Sequence, residues 1–230
     1  MATPHKAVTE ELSEEPRLVR YGAPAPLRRT WAHRFTRRLL DHGVGAIGSV
    51  ITLLLTPFIA LVLKLEDGGP VFYRSEFVDC DGSVRYYLKF RTMSPDADQR
   101  LRNDPALKRA FDLKYKLEDD PRVLRSGRFL RKYSIDEFPQ FFSLLSGRLT
   151  LVGPRTISRE ETRRYGELLP KLLSVKPGIT GYWQVMGRQN TTYQQRIELD
   201  MFYIDHYSLA LDLRIVAMTV WKVLRAEGAY

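Results

Sequence analysis

One stretch dominates the pattern of apolar and polar positions: Gly43 to Leu63 (GVGAIGSVITLLLTPFIALVL) runs 21 residues without a charge. At about 1.5 Å per residue, a helix of that length reaches roughly 30 Å, the thickness of a bilayer's hydrocarbon core. A core helix of a soluble protein is the competing reading, although a soluble core has little need of so long an uncharged run. Thr56-Pro57 interrupts the stretch. Proline removes an intrahelical hydrogen bond and crowds the preceding turn, so a kink is predicted there. A kinked helix spans the bilayer, whereas a sharply turned one descends about 20 Å from Gly43 to Thr56 and returns to the side it entered. The Thr56 hydroxyl is suited to bond back to a carbonyl freed at the break.

The remaining pattern is shorter-ranged. Val71-Phe72-Tyr73-Arg74 reads as a strand, and Asp81-Gly82 between Glu76-Phe77-Val78 and Val84 to Phe90 signals a two-residue β-hairpin turn. Residues 95–118 are charge-rich with scattered apolar positions and predict a solvated helix or helix pair. An apolar helix is expected over Phe138 to Leu145, stopped by Gly147, a helix of mixed polarity over Glu160 to Leu173, and further helices over Thr192 to His206 and residues 208–226. The last is apolar around most of its circumference, with Arg214, Lys222 and Arg225 placed to snorkel, so core helix and membrane-surface helix fit equally well. Lys176 to Gly181 reads as a loop. Residues 1–30 lack apolar periodicity, and Tyr21-Gly22-Ala23-Pro24-Ala25-Pro26 reads as a tether. A secretory signal would place its apolar region nearer the N-terminus. The elements predict an α+β fold, mainly helical with a small β-hairpin, in three parts: a flexible tail over 1–30, a membrane helix-break-helix over 31–66, and a catalytic domain over 67–230.

Charge adds partners to this outline. Lys and Arg total 36 against 27 Asp and Glu, a net charge of +9, which points to polyanionic company. Nucleic acid, an anionic membrane face and phosphorylated substrates all satisfy it. Seven arginines and no acid lie between Arg17 and Arg38, which puts that flank in the cytoplasm under the positive-inside rule. The single cysteine, Cys80, excludes an intrachain disulfide and a cysteine metal cluster.

Candidate chemistry centres on Ser134-Ile135-Asp136-Glu137-Phe138-Pro139-Gln140, two adjacent carboxylates beside Arg128 and Arg131. A carboxylate can attack phosphorus or hold Mg²⁺, while guanidinium groups neutralise the phosphate oxygens that would repel it. The plainer alternative is a capping box, Ser134 to Glu137. Pro139 weakens it: with Ser134 as N-cap, Pro139 falls at the fifth helical position, and the alternative is a helix that begins at Pro139 with Phe138 as its cap. Further cationic or glycine-rich loops are Lys89-Phe90-Arg91-Thr92-Met93, Val152-Gly153-Pro154-Arg155 and Lys176-Pro177-Gly178 through Gly187-Arg188. Together with the dyad they form an inventory for a diphosphate substrate. Neither a P-loop nor a dinucleotide-binding glycine motif is present. A domain built around phosphate chemistry stays with cytosolic nucleotides, which favours re-entry of the apolar helix. The alternative is a basic membrane-anchored binding module for anionic lipid or nucleic acid.

Taken in order, Arg37-Arg38-Leu39-Leu40-Asp41, the Pro-broken helix, Lys89 to Met93, Asp120-Pro121-Arg122, Gly127 to Gln140, Leu151 to Arg155 and Lys176 to Arg188 resemble the bacterial sugar transferases, the monotopic polyprenyl-phosphate phosphoglycosyl transferases. The resemblance is greatest to the catalytic part of undecaprenyl-phosphate galactose or glucose phosphotransferases. It implies transfer of a sugar 1-phosphate from a UDP-sugar to polyprenyl phosphate at the cytoplasmic face of the bacterial inner membrane. Asp136 matches the family's nucleophile, Glu137 its Mg²⁺-binding partner, Arg131 its dyad-adjacent arginine, and Arg155 and Arg188 its phosphate- or nucleotide-side arginines. Lys89, Arg91 and Pro154 fall in its substrate-binding motifs. A re-entrant helix over Phe35 to Leu65, broken at Thr56-Pro57, anionic membrane lipids and no nucleic acid are further implications, and a homodimer is left open. Two departures stand out: Thr156 where a second proline usually follows Pro-Arg, and Thr-Pro in place of Ser-Pro at the break.

Overall fold

The computed structural model describes residues 31–114, 117, 120–187 and 191–225. The N-terminal tail over 1–30 and Arg188 lie outside the described residues. The architecture is mostly helical with one antiparallel hairpin and a short parallel strand pair, the latter not anticipated from sequence.

Helix α1 (Trp31–Glu66) carries the apolar run and is long and apolar enough to cross a membrane. Its helical pattern continues through Pro57, so the expected break is not an interruption of secondary structure. One face meets protein: Gly45, Gly48, Ser49, Thr52 and Leu63 are buried, at helical spacing, while Ile47, Val50, Leu54, Phe58, Leu61 and Leu65 on the other side are exposed. Glycine is needed at 48, where a Cβ would come 2.2 Å from the Phe141 ring. Thr52 donates its hydroxyl to the Gly48 carbonyl at 2.7 Å and faces the Phe138 carbonyl at 3.0 Å. Thr56 does bond back, as expected, but to the Thr52 carbonyl at 2.7 Å. The carbonyl that Pro57 cannot serve is that of Leu53, four residues earlier.

Both flanks of the apolar run are tied to the same globule. On the N-terminal side, Asp41 accepts from the Leu151 N–H at 2.8 Å and the Thr150 hydroxyl at 2.9 Å, and Arg37 donates to the Val152 carbonyl. On the C-terminal side, the Glu66 carboxylate accepts from the Arg125 N–H at 2.8 Å and the Ser126 N–H at 3.3 Å. Glu66 thereby caps α4 (Arg125–Lys132), whose own N-cap residue, Leu124, has no side-chain acceptor. Asp67 pairs with Arg91 at 2.6 Å.

Strands β1 (Phe72–Val78) and β2 (Val84–Phe90) pair in register from Phe72 with Phe90 to Val78 with Val84. The hairpin is where the sequence signalled it, but the Asp79 N–H to Ser83 carbonyl bond of 2.9 Å encloses three residues, not two. Gly82 takes the left-handed position at φ 77°. The charge-rich region forms α2 (Ala97–Asn103) and α3 (Pro105–Lys114). After α4, a 3₁₀ turn over Ile135–Gln140 leads into α5 (Phe141–Leu145), so the helix expected from Phe138 or Pro139 starts later.

Strand β3 (Thr150–Val152) lies parallel to β4 (Gly178–Thr180), which makes a strand of part of the predicted 176–181 loop. Glycine is required here by proximity: a Cβ on Gly178 would meet the Gly153 nitrogen at 2.1 Å. The helix expected over 160–173 is split into α6 (Arg159–Tyr165), a 3₁₀ turn and α7 (Leu169–Leu172) because Gly166 adopts φ 49° and Pro170 starts the next turn. Helices α8 (Tyr182–Met186), α9 (Tyr193–Asp205) and α10 (Leu209–Leu224) complete the described residues. A Thr192–Gln195 capping box starts α9, which buries Ile197, Met201 and Ile204 against Val152, Val185 and Leu172. Helix α10 packs one side into the globule and leaves apolar residues outside: Asp212 and Ile215 are buried, whereas Leu213, Val220, Trp221 and Leu224 are exposed.

Candidate active site

Helix α4 delivers the site. Its C-terminus is closed by Ser134, the one non-glycine with positive φ among the described residues, at φ 54° and ψ 25°. A left-handed residue there costs of order 1 kcal/mol and reverses the chain sharply, so that the next residues enter a 3₁₀ turn. The Ser134 side chain makes no capping bond, which disposes of the capping-box reading. Pro139 lies inside the turn and has no N–H to give the Asp136 carbonyl, so the i to i+3 ladder lacks one bond there.

Asp136 and Glu137, adjacent in this turn, diverge. Asp136 is buried at 9% exposure, and among the described residues no cation comes within ion-pair distance of its carboxyl. Burial pushes its pKa up to about 6, with Glu137 adding to the rise and Lys89 and Arg131 opposing it. Glu137 stays half-open and meets Lys89 Nζ, from β2, at 3.0 Å. Burial works against the Lys89 charge, yet Glu137 and Asp136 outweigh it and lift the ammonium above its ordinary value, while Arg155 pulls the other way. Arg131 donates from Nε to the Thr92 hydroxyl at 2.9 Å, and burial lowers its pKa against the favourable pull of Asp136 and Asp120. Thr92 is held by its neighbours: the Leu124 N–H donates to the Thr92 carbonyl at 3.0 Å, and Asp120 and Arg122 form a buried bidentate pair at 2.8 and 2.6 Å alongside.

The structure therefore brings Lys89, Arg131, Asp136, Glu137 and, through its field on Lys89, Arg155 into one electrostatic group. Pro154 is buried and its carbonyl accepts from the Gly178 N–H at 2.8 Å, which fixes the backbone before Arg155. Arg155 is exposed, with its guanidinium carbon 5.3 Å from the Trp183 ring centroid. Arg91 stands apart from this group. It is 5% exposed and committed to Asp67 and the Met93 carbonyl, so its place is to lock the end of α1 to β2. Thr56 and Pro57 lie within α1, Thr56 partly buried and Pro57 exposed.

Sequence reasoning missed a second charged cluster behind Arg155, formed by Glu161, Tyr165, Arg196 and Asp200. Arg196 and Asp200 are four residues apart on the face of α9 that also carries Ile197, Met201 and Ile204. Charges among buried apolar positions of an amphipathic helix were the available signal.

Among the described residues no group of three metal-ligating side chains occurs. A Mg²⁺ ion that keeps most of its waters and shares substrate phosphates needs only one or two protein carboxylates. Glu137 fits that requirement: it is half-open, and Lys89 engages one of its oxygens.

A desolvated carboxylate with cations standing back from it, built against a helix of membrane length, is an arrangement that chemistry on anions beside an apolar phase would need. The chain belongs to the bacterial sugar transferase family, whose model matches residues 32–226. It is 40% identical over 202 residues to the UDP-galactose-lipid carrier transferase of Erwinia amylovora, covering 86% of this chain and 42% of that protein. It is 36% identical to the undecaprenyl-phosphate galactose phosphotransferase of Salmonella typhimurium, with 86% and 42% covered. Exopolysaccharide production protein ExoY of Sinorhizobium fredii is 36% identical, with 80% of this chain and 84% of that protein covered. The chain thus spans about two fifths of the first two relatives and most of the third. Membership in a transferase family answers the alternative of a basic binding module.

Proposed function

We propose that the chain transfers a sugar 1-phosphate from a UDP-sugar to polyprenyl phosphate through a covalent aspartyl-phosphosugar, as the first membrane step of exopolysaccharide, capsule or O-antigen type glycan synthesis. The observation that carries this reading is the buried Asp136 carboxyl, poised near pKa 6 between the Lys89–Glu137 pair and Arg131. An Asp136 oxygen attacks the sugar-bearing phosphorus, the bond from that phosphorus to the bridging oxygen breaks, and UMP leaves with the electron pair. An oxygen of polyprenyl phosphate then attacks the same phosphorus and releases the Asp136 carboxylate. Lys89 and Arg131 balance charge around the dyad, and Arg155 takes the donor's phosphates from the Trp183 side. Glu137 would hold Mg²⁺, which when bound supplies the positive charge that lets three anionic partners meet.

Support for a re-entrant anchor over 31–66 comes from the two ends of α1, both of which bond to the same globule. A helix that crossed the bilayer would carry Asp41 and Glu66 to opposite faces. The arginines before it favour the cytoplasmic leaflet for this shared side, where each basic residue near an anionic surface contributes about 1 kcal/mol. Cysteine labelling at positions 38 and 66 in a Cys80→Ser background tests this, and labelling from opposite faces rejects it. The transfer itself is tested by UMP release from a panel of UDP-sugars with polyprenyl phosphate, and by mass spectrometry for a phosphosugar on Asp136. Full turnover by Asp136→Asn would sink the nucleophile. Glu137→Gln is expected to lower turnover by about 10²-fold and to raise the Mg²⁺ concentration needed.

A further inference from the structure

The cluster behind the Arg155 loop has no part in the bond-making steps above, and it is arranged around one indole. Trp183 in α8 has the Arg155 guanidinium carbon 5.3 Å from its ring centroid and the Arg196 guanidinium carbon 5.0 Å from it. Its Nε1 donates to the Thr191 hydroxyl at 2.9 Å, which fixes the ring in its own plane. Arg196 is 6% exposed and also lies 5.0 Å from the Tyr193 ring. Its Nη1 donates to Glu161 at 3.0 Å and its Nε stands 3.9 Å from Asp200, which accepts from the Tyr165 hydroxyl at 2.9 Å. Glu161 also receives the Ser158 N–H at 2.9 Å, three residues beyond Arg155.

Two cations that share one ring repel each other. Glu161 and Asp200 neutralise Arg196 and so leave the negative face of the indole to Arg155. Among the described residues Arg155 has no carboxylate within ion-pair distance; Glu161 and Asp200 act on its charge from further away, and the Trp183 ring is what its guanidinium meets directly. We infer that Trp183, backed by Arg196 and its two acids, is a positioning residue that fixes the Arg155 guanidinium on the Lys89 side of the dyad, ready for a diphosphate. The inference rests on the reading of Arg155 as a donor-phosphate ligand.

The test is a double-mutant cycle on UMP release. Trp183→Leu keeps apolar bulk and loses the ring face, and is expected to lower kcat/KM for the UDP-sugar about tenfold. Trp183→Phe keeps a face and should stay within about threefold of the unsubstituted protein. In an Arg155→Ala background, Trp183→Leu should cost less than about twofold. An equal cost in both backgrounds, or a phenylalanine variant as impaired as the leucine one, overturns the inference. A second readout needs neither turnover nor a tryptophan variant: the Arg155 Nε–H resonance, identified by its loss in Arg155→Lys, should be shifted upfield by the ring. A protein that turns over no UDP-sugar sinks the donor reading, whereas an unshifted Arg155 resonance sinks this one.

Discussion

Asp136 and Asp200 are both buried, and burial pushes both up to about 6, yet their settings are opposite. Asp200 sits on a regular helix at 1% exposure, with its carboxylate engaged by Tyr165 at 2.9 Å and Arg196 at 3.9 Å. Asp136 sits in a 3₁₀ turn entered through a left-handed serine, with Lys89 and Arg131 near enough to act on its charge but not to pair with it. A raised pKa nominates both as functional carboxylates. The partners decide between them: Asp200 is engaged by Tyr165, Arg196 and the Arg155 backbone, whereas Asp136, among the described residues, has no ion pair and lies beside cations that can also serve a phosphate.

The comparison breaks most clearly on substitution by asparagine. Asp136→Asn removes the attacking oxygen's charge and is expected to lower UMP release by at least about 10³-fold. Asp200→Asn weakens the hold on Arg196, on the Tyr165 hydroxyl and on the Arg155 backbone, none of them an attacking group, and should leave turnover within about tenfold of the unsubstituted protein. Equal losses would mean that the two carboxylates are one functional unit.

The pH profile sharpens the same distinction. The attacking form of Asp136 is the carboxylate, so the rate should rise about tenfold per pH unit up to about 6 and level off above it. This acid limb should persist in Asp200→Asn, because the group that titrates in the rate is Asp136. A limb that disappears in Asp200→Asn would transfer the kinetic pKa to the wrong aspartate.

Part of this arrangement was legible in the sequence for identifiable reasons. The apolar run of α1, the hairpin and the helix after Thr192 announce themselves through periodicity and caps, all local properties. The dyad was legible because two carboxylates among arginines are rare and contiguous. Long-range pairings were not. Arg91 reads as one more cation in a substrate motif until Asp67 is seen beside it, and Glu66 gives no sign that it caps a helix 59 residues away. Gly178 to Thr180 becomes a strand only because β3 lies next to it. Arg196 and Asp200 were hidden by a helix whose charges look solvated unless its buried face is known.

Stability offers a smaller contrast. The pKa of Asp136 is raised from 3.8 to about 6 by folding, so its contribution is fully present below about pH 3.8 and is lost as pH rises through about 6. At pH 7.5 the buried charge is therefore a net cost. Asp136→Asn, measured without Mg²⁺ by denaturant unfolding, should gain about 2 kcal/mol while losing its activity. A loss of stability would show that the cations around Asp136 hold it more closely than the geometry indicates.

The smallest expected effect belongs to Tyr165→Phe, and it probes the Asp200 side alone. The hydroxyl is buried and donates to Asp200 at 2.9 Å; burial, reinforced by the Asp200 charge, raises its own pKa and keeps it a donor across the accessible pH range. Its removal leaves the ring packing of Tyr165 intact and deprives one carboxylate oxygen of its partner, at a cost of about 1 to 2 kcal/mol in unfolding free energy. Arg196 still faces Asp200 and Glu161, so Trp183 and Arg155 keep their places and kcat should change by less than about twofold. A stability loss without a rate loss would mark Asp200 as an internal strut for the loop. A rate loss as large as that of Trp183→Leu would mean instead that the hydroxyl reaches the reaction through Arg155, and the two aspartates would then differ in distance from the chemistry rather than in kind.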